Sequence, residues 1–343
     1  MRARPVVFLD PHWRQVSELF SEADLARLRG MAELRWARDD KAGPVDLSDV
    51  DVLIQTEPRV TSDVLDAAPH LSAVIEVSGA FPASIDYAAC AARGVEVLSC
   101  APGFREAVAE MALGMLIAGA RGLVAEHEAF RQGSEGWLAD REGRDWTLFA
   151  AEIGFVGYGS IAREIHRLLT PFGVRVRAHD PWVGEAEGVT FGHLGEVLER
   201  SQAVLVCAAP TTENRGLIGR AEIAQMRDRA LLAVISRAHL VDFETCVEAA
   251  MAGRITFATD VFPEEPLPAD HPIRQGPNVI LSPHRAAAVP GGRQPIGRMI
   301  VDDIALMIAG EPPRQLQRAA GRDLAALTGV SDAASVGAMA EKR

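Results

Sequence analysis

Ala230-Leu231-Leu232-Ala233-Val234-Ile235 is apolar at every position and closes on Ser236 and Arg237. A run so short, with no polar face, fits a strand in the interior of a parallel sheet covered on both sides. Other parts of the chain repeat the theme. Strand-like runs at 6–9, 50–54, 71–77 and 95–98 are separated by helix-spaced segments at 13–28, 62–68 and 84–92. From Glu152 the alternation restarts and continues to Leu281. Strands alternating with helices predict an α/β architecture with parallel sheets.

Two breaks interrupt this rhythm, Ala101-Pro102-Gly103 and Pro290-Gly291-Gly292. Between the first break and the restart lie an apolar-periodic segment at 105–130 and a polar, glycine-bearing loop at 133–145. After the second break, 296–308 reads as a helix. The stretch from Arg314 on, rich in Ala and Arg, reads as a surface helix or frayed tail. Two breaks and one restart predict a discontinuous domain, residues 1–101 with 290–343, and a second domain at 102–289. A length of 343 residues agrees with about two domains.

The net charge of −12 argues against a nucleic-acid or anionic-membrane partner. The four cysteines, Cys90, Cys100, Cys207 and Cys246, are scattered without a paired spacing, so neither a disulfide framework nor a metal site is expected. The N-terminal apolar run stops at Asp10, too soon for a signal-peptide core. The apolar stretch 107–125 contains Glu110 and Arg121 and falls short of the roughly 20 clean residues of a membrane span. These features predict a cytoplasmic protein.

Gly157-Tyr158-Gly159-Ser160-Ile161-Ala162 is a G-x-G-x-x-A element preceded by an apolar run and followed by a segment with Ile161, Ile165, Leu168 and Leu169 on one face. The alternating strand 174–179 comes next and ends at Asp180, 18 residues past Ala162. That context is the dinucleotide fingerprint. Gly157 permits the tight turn, Gly159 lets backbone approach a pyrophosphate, and Ala162 keeps the helix close to the strand. The N–H groups at the helix start, around Ser160 and Ile161, offer a positive dipole end to phosphate. Asp180 can accept from ribose hydroxyls and would repel a 2′-phosphate, which favours NAD (NADH) over NADP.

Three later strands each end in a reactive group. Arg237 follows 230–235, Asp260 follows 255–258 with Glu265 in the Pro-rich turn beyond it, and His284 follows 278–281. Ligands of open α/β sheets bind at the carboxyl ends of strands. Arginine there has a planar fork that matches a carboxylate, and a histidine with a carboxylate partner is equipped for acid–base work.

With these motifs the chain resembles the D-isomer-specific 2-hydroxyacid dehydrogenases, the family of D-glycerate, D-lactate and 3-phosphoglycerate dehydrogenases. The resemblance spans about residues 70–290. It rests on the glycine fingerprint with Asp180 and on Pro210-Thr211-Thr212-Glu213-Asn214-Arg215-Gly216-Leu217-Ile218. It rests equally on Ser236-Arg237 with Leu240-Val241-Asp242, on Asp260-Val261-Phe262 with Glu265-Pro266-Leu267, on Ser282-Pro283-His284, and on Val108-Ala109-Glu110. It implies two doubly wound domains, a Rossmann NAD-binding domain inserted into a discontinuous flavodoxin-like substrate domain, with a cleft that closes on substrate. It implies hydride transfer between nicotinamide and a 2-oxo acid/D-2-hydroxy acid pair. Arg237 would hold the substrate carboxylate. His284 would be the general acid and base, and Glu265 would fix its tautomer and favour the imidazolium. Asp260 would bind the nicotinamide carboxamide and Pro210 would line the cofactor site. The backbone of Ser78, Gly79 and Ala80 would offer N–H groups to the substrate carboxylate. The family also implies a homodimer through the NAD-binding domain, with 105–130 and the following arm as the contact.

The chain departs from the family pattern around that site. Phe81-Pro82 replaces a smaller, glycine-bearing loop, Ala238 replaces a glycine, and Val234 and Cys100 each stand where asparagine is common. Arg285 follows His284 where an apolar residue is usual. No catalytic group is lost, so a different substrate is expected; Arg285 reads either as a second anion contact or as a hinge-surface arginine. Two alternatives share the fold: oxidation of another small anion such as phosphite, and a nucleotide-sensing regulator similar to the dehydrogenase-like corepressors.

Overall fold

The computed structural model describes residues 2–10, 15–36, 46–56, 58–79, 81–139, 145–211 and 213–319. Trp13, Ala80, Thr212 and the tail beyond 319, all touched by expectations above, lie outside the described residues. The chain forms two compact units. Among the described residues, one takes those up to Arg105 together with 288–319; the other takes those within Glu106–Ala287.

In the first unit the strands are β1 (Val6–Asp10), β2 (Glu33–Trp36), β3 (Val52–Gln55), β4 (Ala73–Glu76) and β5 (Glu96–Ser99). They pair in parallel in the order β2-β1-β3-β4-β5, the doubly wound flavodoxin-like order. The short strand Gln317–Arg318 joins antiparallel beside β5. On one face Ile296, Ile300 and Ile304 of the helix Gln294–Ile308 pack with Leu19, Leu28, Ile54 and Ile75, all fully buried. Each such side chain contributes about 1.5–3 kcal/mol.

In the second unit the strands are β6 (Glu152–Val156), β7 (Arg175–His179), β8 (Val189–Phe191), β9 (Ala203–Val206), β10 (Ala230–Val234), β11 (Ile255–Thr259) and β12 (Val279–Leu281). All pairs are parallel, in the order β12-β11-β10-β9-β6-β7-β8. The strand order reverses between β6 and β9, which is the switch point of a Rossmann sheet. β10 is buried at every residue, as its apolar run predicts.

Two expectations change, and one strand had not been foreseen. The segment 105–130 is two helices, Arg105–Ala120 and Leu123–Gln132, bent by 59°. Gly122 at the break takes φ +58°, which ends the first helix despite continuous apolar spacing. The strand β2 has only two apolar residues in its sequence and left no clear periodic signal. Residues after Arg314 continue into the strand Gln317–Arg318 instead of a helix. Buried Asp303 draws them in, accepting N–H bonds from Arg314, Gln315 and Leu316 at 2.7–3.1 Å. Among the described residues no single helix is long and apolar enough to cross a membrane, and that length is reached only by the bent pair Ala101–Ala120 with Leu123–Gln132.

Candidate active site

Because the second unit's strands are all parallel, their carboxyl ends share one edge. Every sequence-predicted group of this unit falls there. Gly157 and Gly159 follow β6, Asp180 follows β7, Pro210 follows β9, Arg237 follows β10, Asp260 and Glu265 follow β11, and His284 follows β12.

The glycine turn has the geometry its residues require. Gly157 sits at φ +87°, and a Cβ there would meet the Ala208 backbone at 2.4 Å. A Cβ on Gly159 would meet nothing within 4 Å, so open space lies beside the start of the helix Ser160–Leu169. Ala162 is fully buried on that helix. Asp180 braces the turn as well as ending its strand. Oδ2 accepts from the Tyr158 N–H at 2.7 Å, and Oδ1 accepts from Trp182 and Val183 at 2.8 and 3.0 Å. The loop bearing Pro210 is tied by Asn214, whose amide accepts from the Thr211 N–H and donates to the Ala209 carbonyl. The open turn, the free helix start and the carboxylate at the next strand end fit a dinucleotide. Arg175 and Arg177 point to Glu152, at 2.6 and 3.3 Å.

The reactive groups also meet. His284 Nδ1 donates to Glu265 Oε2 at 2.6 Å, and Glu265 Oε1 accepts from the Phe262 N–H at 2.9 Å. With Nδ1 committed to the carboxylate, Nε2 is the position that can gain and release a proton. Burial pushes the Glu265 carboxyl up. The His284 bond and charge, the Phe262 N–H and the Arg237 guanidinium outweigh that and hold it below the ordinary carboxylate range. The Arg237 guanidinium donates to the Ser236 carbonyl at 2.8 Å, which sets its direction off the strand end.

His284 occupies φ +51°, a left-handed conformation that is costly for a residue with a Cβ. Asp260 secures it from behind. Its carboxylate, 1% exposed, accepts from the N–H groups of Arg285 and Ala286 at 2.8 and 2.9 Å. Arg285 thus contributes its backbone to the site's frame, and the residue as a whole is exposed. Asp260 therefore carries a structural duty that the sequence did not announce.

In the first unit, Ser78 and Gly79 follow β4. Their N–H groups are not directed to open space: Ser78 donates to Glu76 Oε1 at 2.7 Å and Gly79 to Oε2 at 2.8 Å. Glu76 is fully buried. The sequence expectation gave these two donors to a substrate, and the structure gives them an internal carboxylate. Glu76 was missed because a glutamate closing an apolar strand reads as a solvated end. Among the described residues no cluster of three or more metal-type ligands occurs.

Comparison with known proteins agrees with this geometry. Residues 113–286 match the model of the NAD-binding domain of the D-isomer specific 2-hydroxyacid dehydrogenases. The chain is 31% identical to a glyoxylate reductase of Thermofilum pendens, over 75% of this chain and 78% of that protein. It is 29% identical to a D-3-phosphoglycerate dehydrogenase of Methanocaldococcus jannaschii, over 77% of this chain but 51% of that protein. The chain thus spans about half the length of the phosphoglycerate dehydrogenases it matches. Among solved structures, a phosphoglycerate oxidoreductase from Rhizobium etli superposes with a TM-score of 0.83 at 32% identity, covering 93% of this chain and 99% of that one. Fold, fingerprint and these matches agree: the chain belongs to the D-isomer-specific 2-hydroxyacid dehydrogenase family.

Proposed function

We propose that the protein is an NAD(H)-dependent oxidoreductase that interconverts a 2-oxo acid and a D-2-hydroxy acid. The observation that carries this is the joining of Arg237, Glu265 and His284 on the same sheet edge as the Gly157-Gly159 turn and Asp180. Residues 102–289 serve as the dinucleotide domain, and 1–101 with 290–343 as the substrate domain. Gly157, Gly159, Ser160, Ile161 and Pro210 would hold the dinucleotide. Asp180 would accept from its ribose, favouring NAD, and Asp260 would meet its carboxamide with the lone pairs its backbone bonds leave. When bound, the nicotinamide supplies or accepts a hydride.

Arg237 anchors the substrate carboxylate through its planar fork and draws electron density from the adjacent carbonyl. His284 Nε2 delivers a proton to the carbonyl oxygen during reduction and takes it back during oxidation. Glu265 keeps Nδ1 protonated and compensates the imidazolium. Contacts of the Ser78–Ala80 loop would complete substrate recognition.

The protein is further proposed to act as a homodimer through the dinucleotide unit. Leu123, Val124, Phe130, Trp137 and Leu138 are exposed there, and the Phe130 and Trp137 rings meet edge-on at 6.1 Å. An apolar face of this kind suits a second copy. Cytoplasmic residence is supported by four buried, unpaired cysteines.

The test is NADH oxidation by purified protein across glyoxylate, hydroxypyruvate, pyruvate, and branched and aromatic 2-oxo acids. Turnover of at least one, with its D-hydroxy acid as product, is expected. NADH binding without turnover of any would overturn the assignment.

A further inference from the structure

The substrate loop of the first unit holds an anion of its own. Glu76 ends β4 at 0% exposure. An ionised carboxylate persists at that depth only when it is paired or hydrogen-bonded. Its two oxygens take the consecutive N–H groups of Ser78 and Gly79 at 2.7 and 2.8 Å, lengths typical of charge-assisted bonds. Successive N–H groups converging on one point form an anion-binding nest. Here the nest closes on a side chain from two residues upstream.

The nest is closely packed. Gly79 lies at φ +86°, and a Cβ there would press on the Phe104 ring at 3.0 Å and the Ala101 backbone at 3.3 Å. At the far end of the loop the Tyr87 hydroxyl donates to the Pro82 carbonyl at 2.8 Å, and the Phe81 ring packs edge-on against Tyr87. Phe81 is itself buried. The loop is thereby fixed at both ends, one by a charge and one by an aromatic pair. The charge is also felt nearby: after burial itself, Glu76 is the next influence pushing the Cys100 thiol and the Tyr87 hydroxyl up.

We infer that Glu76 is a positioning residue for the substrate loop. It engages the Ser78 and Gly79 donors inside the fold, so that these two N–H groups are not the ones offered to a substrate carboxylate. This assignment rests on the function proposed above, in which the loop contacts a 2-oxo acid. Its physical content is that a negative charge is already built into the place where such a loop would otherwise collect one.

The experiment uses the full chain with Glu76→Ala and Glu76→Gln. Amide hydrogen exchange over 77–82 is read first, since it needs no activity. Slow exchange at Ser78 and Gly79 is expected in the wild type, with protection lost in Glu76→Ala. Free exchange of these amides in the wild type overturns the inference, whatever the enzyme does. Steady-state kinetics follow, with glyoxylate or whichever 2-oxo acid is turned over. In Glu76→Ala the KM for the oxo acid should rise by about tenfold or more, a loss on the scale of one or two hydrogen bonds to a charged group. NADH affinity and kcat should stay near wild type. Added formate, a carboxylate small enough to refill the nest, should recover part of the loss in Glu76→Ala while leaving the wild type unimproved. Glu76→Gln should fall between, because its amide can accept from one N–H but confronts the other with a donor. It also serves if the alanine variant does not fold. A lower KM in Glu76→Ala would mean that the freed donors belong to the substrate, and an unchanged KM that the loop's geometry does not depend on the charge. NADH affinity, kcat and melting temperature falling together without a formate response would mean a purely structural role. Each of these overturns the inference. Absence of any turnover in wild type with intact NADH binding defeats the function, not the nest.

Discussion

Glu265→Gln is the substitution on which the proposed chemistry depends most sharply. The glutamate accepts from His284 Nδ1 at 2.6 Å and from the Phe262 N–H at 2.9 Å. A glutamine can present its carbonyl to one of these donors, and its NH2 then faces the other. The larger change is the lost charge. Two unit charges about 4 Å apart interact by about 4 kcal/mol at an effective dielectric of ~20. The His284 side chain is 44% exposed and Glu265 19%, so water screens part of this. Between the ~0.2–1 kcal/mol of an exposed pair and the ~1.5–3 kcal/mol of a hydrogen bond to a charged group, about 1–2 kcal/mol fits this partly buried pair. That converts to roughly a 5- to 30-fold loss in kcat for reduction of the oxo acid. The loss depends on the direction of the reaction. Reduction leaves Glu265 to compensate the imidazolium that delivers the proton, so reduction should lose most. Oxidation of the hydroxy acid needs the neutral ring and should lose less. The stability effect has its own sign. Because the folded protein holds Glu265 below the ordinary carboxylate range, its contribution is complete above that range and is lost as pH falls through the lowered value. The melting-temperature gap between wild type and variant should therefore be widest near neutral pH and close in acid. The assay is NADH oxidation with saturating oxo acid, alongside the reverse reaction, across pH. Equal losses in both directions would refute the role given to Glu265.

Arg237→Lys keeps the charge but loses the planar fork, so kcat/KM for the oxo acid should fall about 10- to 100-fold, consistent with a bidentate site. Unchanged KM and kcat would remove Arg237 from the substrate. Asp180→Ala should weaken NADH binding and raise NADPH affinity relative to NADH, measured by quenching or calorimetry. The loss should include some order in the glycine turn, since Asp180 also holds the Tyr158 N–H. An unaltered NADPH-to-NADH ratio would contradict the ribose assignment. Asp303→Asn should cost about 1–3 kcal/mol by leaving buried N–H groups short of an acceptor. Melting temperature should fall and proteolysis near 314–319 should quicken while NADH affinity holds; unchanged proteolysis would show that those residues are anchored otherwise.

How much of this was legible before the fold depends on how local each cause is. The turn at Gly157 could be read because its requirement, a positive φ and no Cβ, is a property of one residue in a strand–turn–helix context. Asp180 could be read because the length of one helix and one strand fixes its distance from the turn. The alternation at 6–98 and 152–281 announced parallel sheets, since a short run apolar on both faces has few other uses. The break at Gly122 was less visible, because apolar periodicity continues through it and only backbone conformation ends the helix. The antiparallel strand Gln317–Arg318 was hidden for a different reason: its partner lies more than two hundred residues away, at Leu98 and Ser99.

The same distinction divides the site. The sequence by itself determined the chemical inventory at the sheet edge, because parallel strands put every residue that follows them on one side, and Arg237, Glu265 and His284 follow three neighbouring strands. Only the tertiary structure decided what the remaining carboxylates do. Asp260 reaches the amides of Arg285 and Ala286, and Glu76 folds under Ser78 and Gly79. Whether a carboxylate is solvated, catalytic or a clamp on backbone depends on its burial and on which N–H groups converge on it. Those are set by how strands and loops pack, and no spacing along the chain records them.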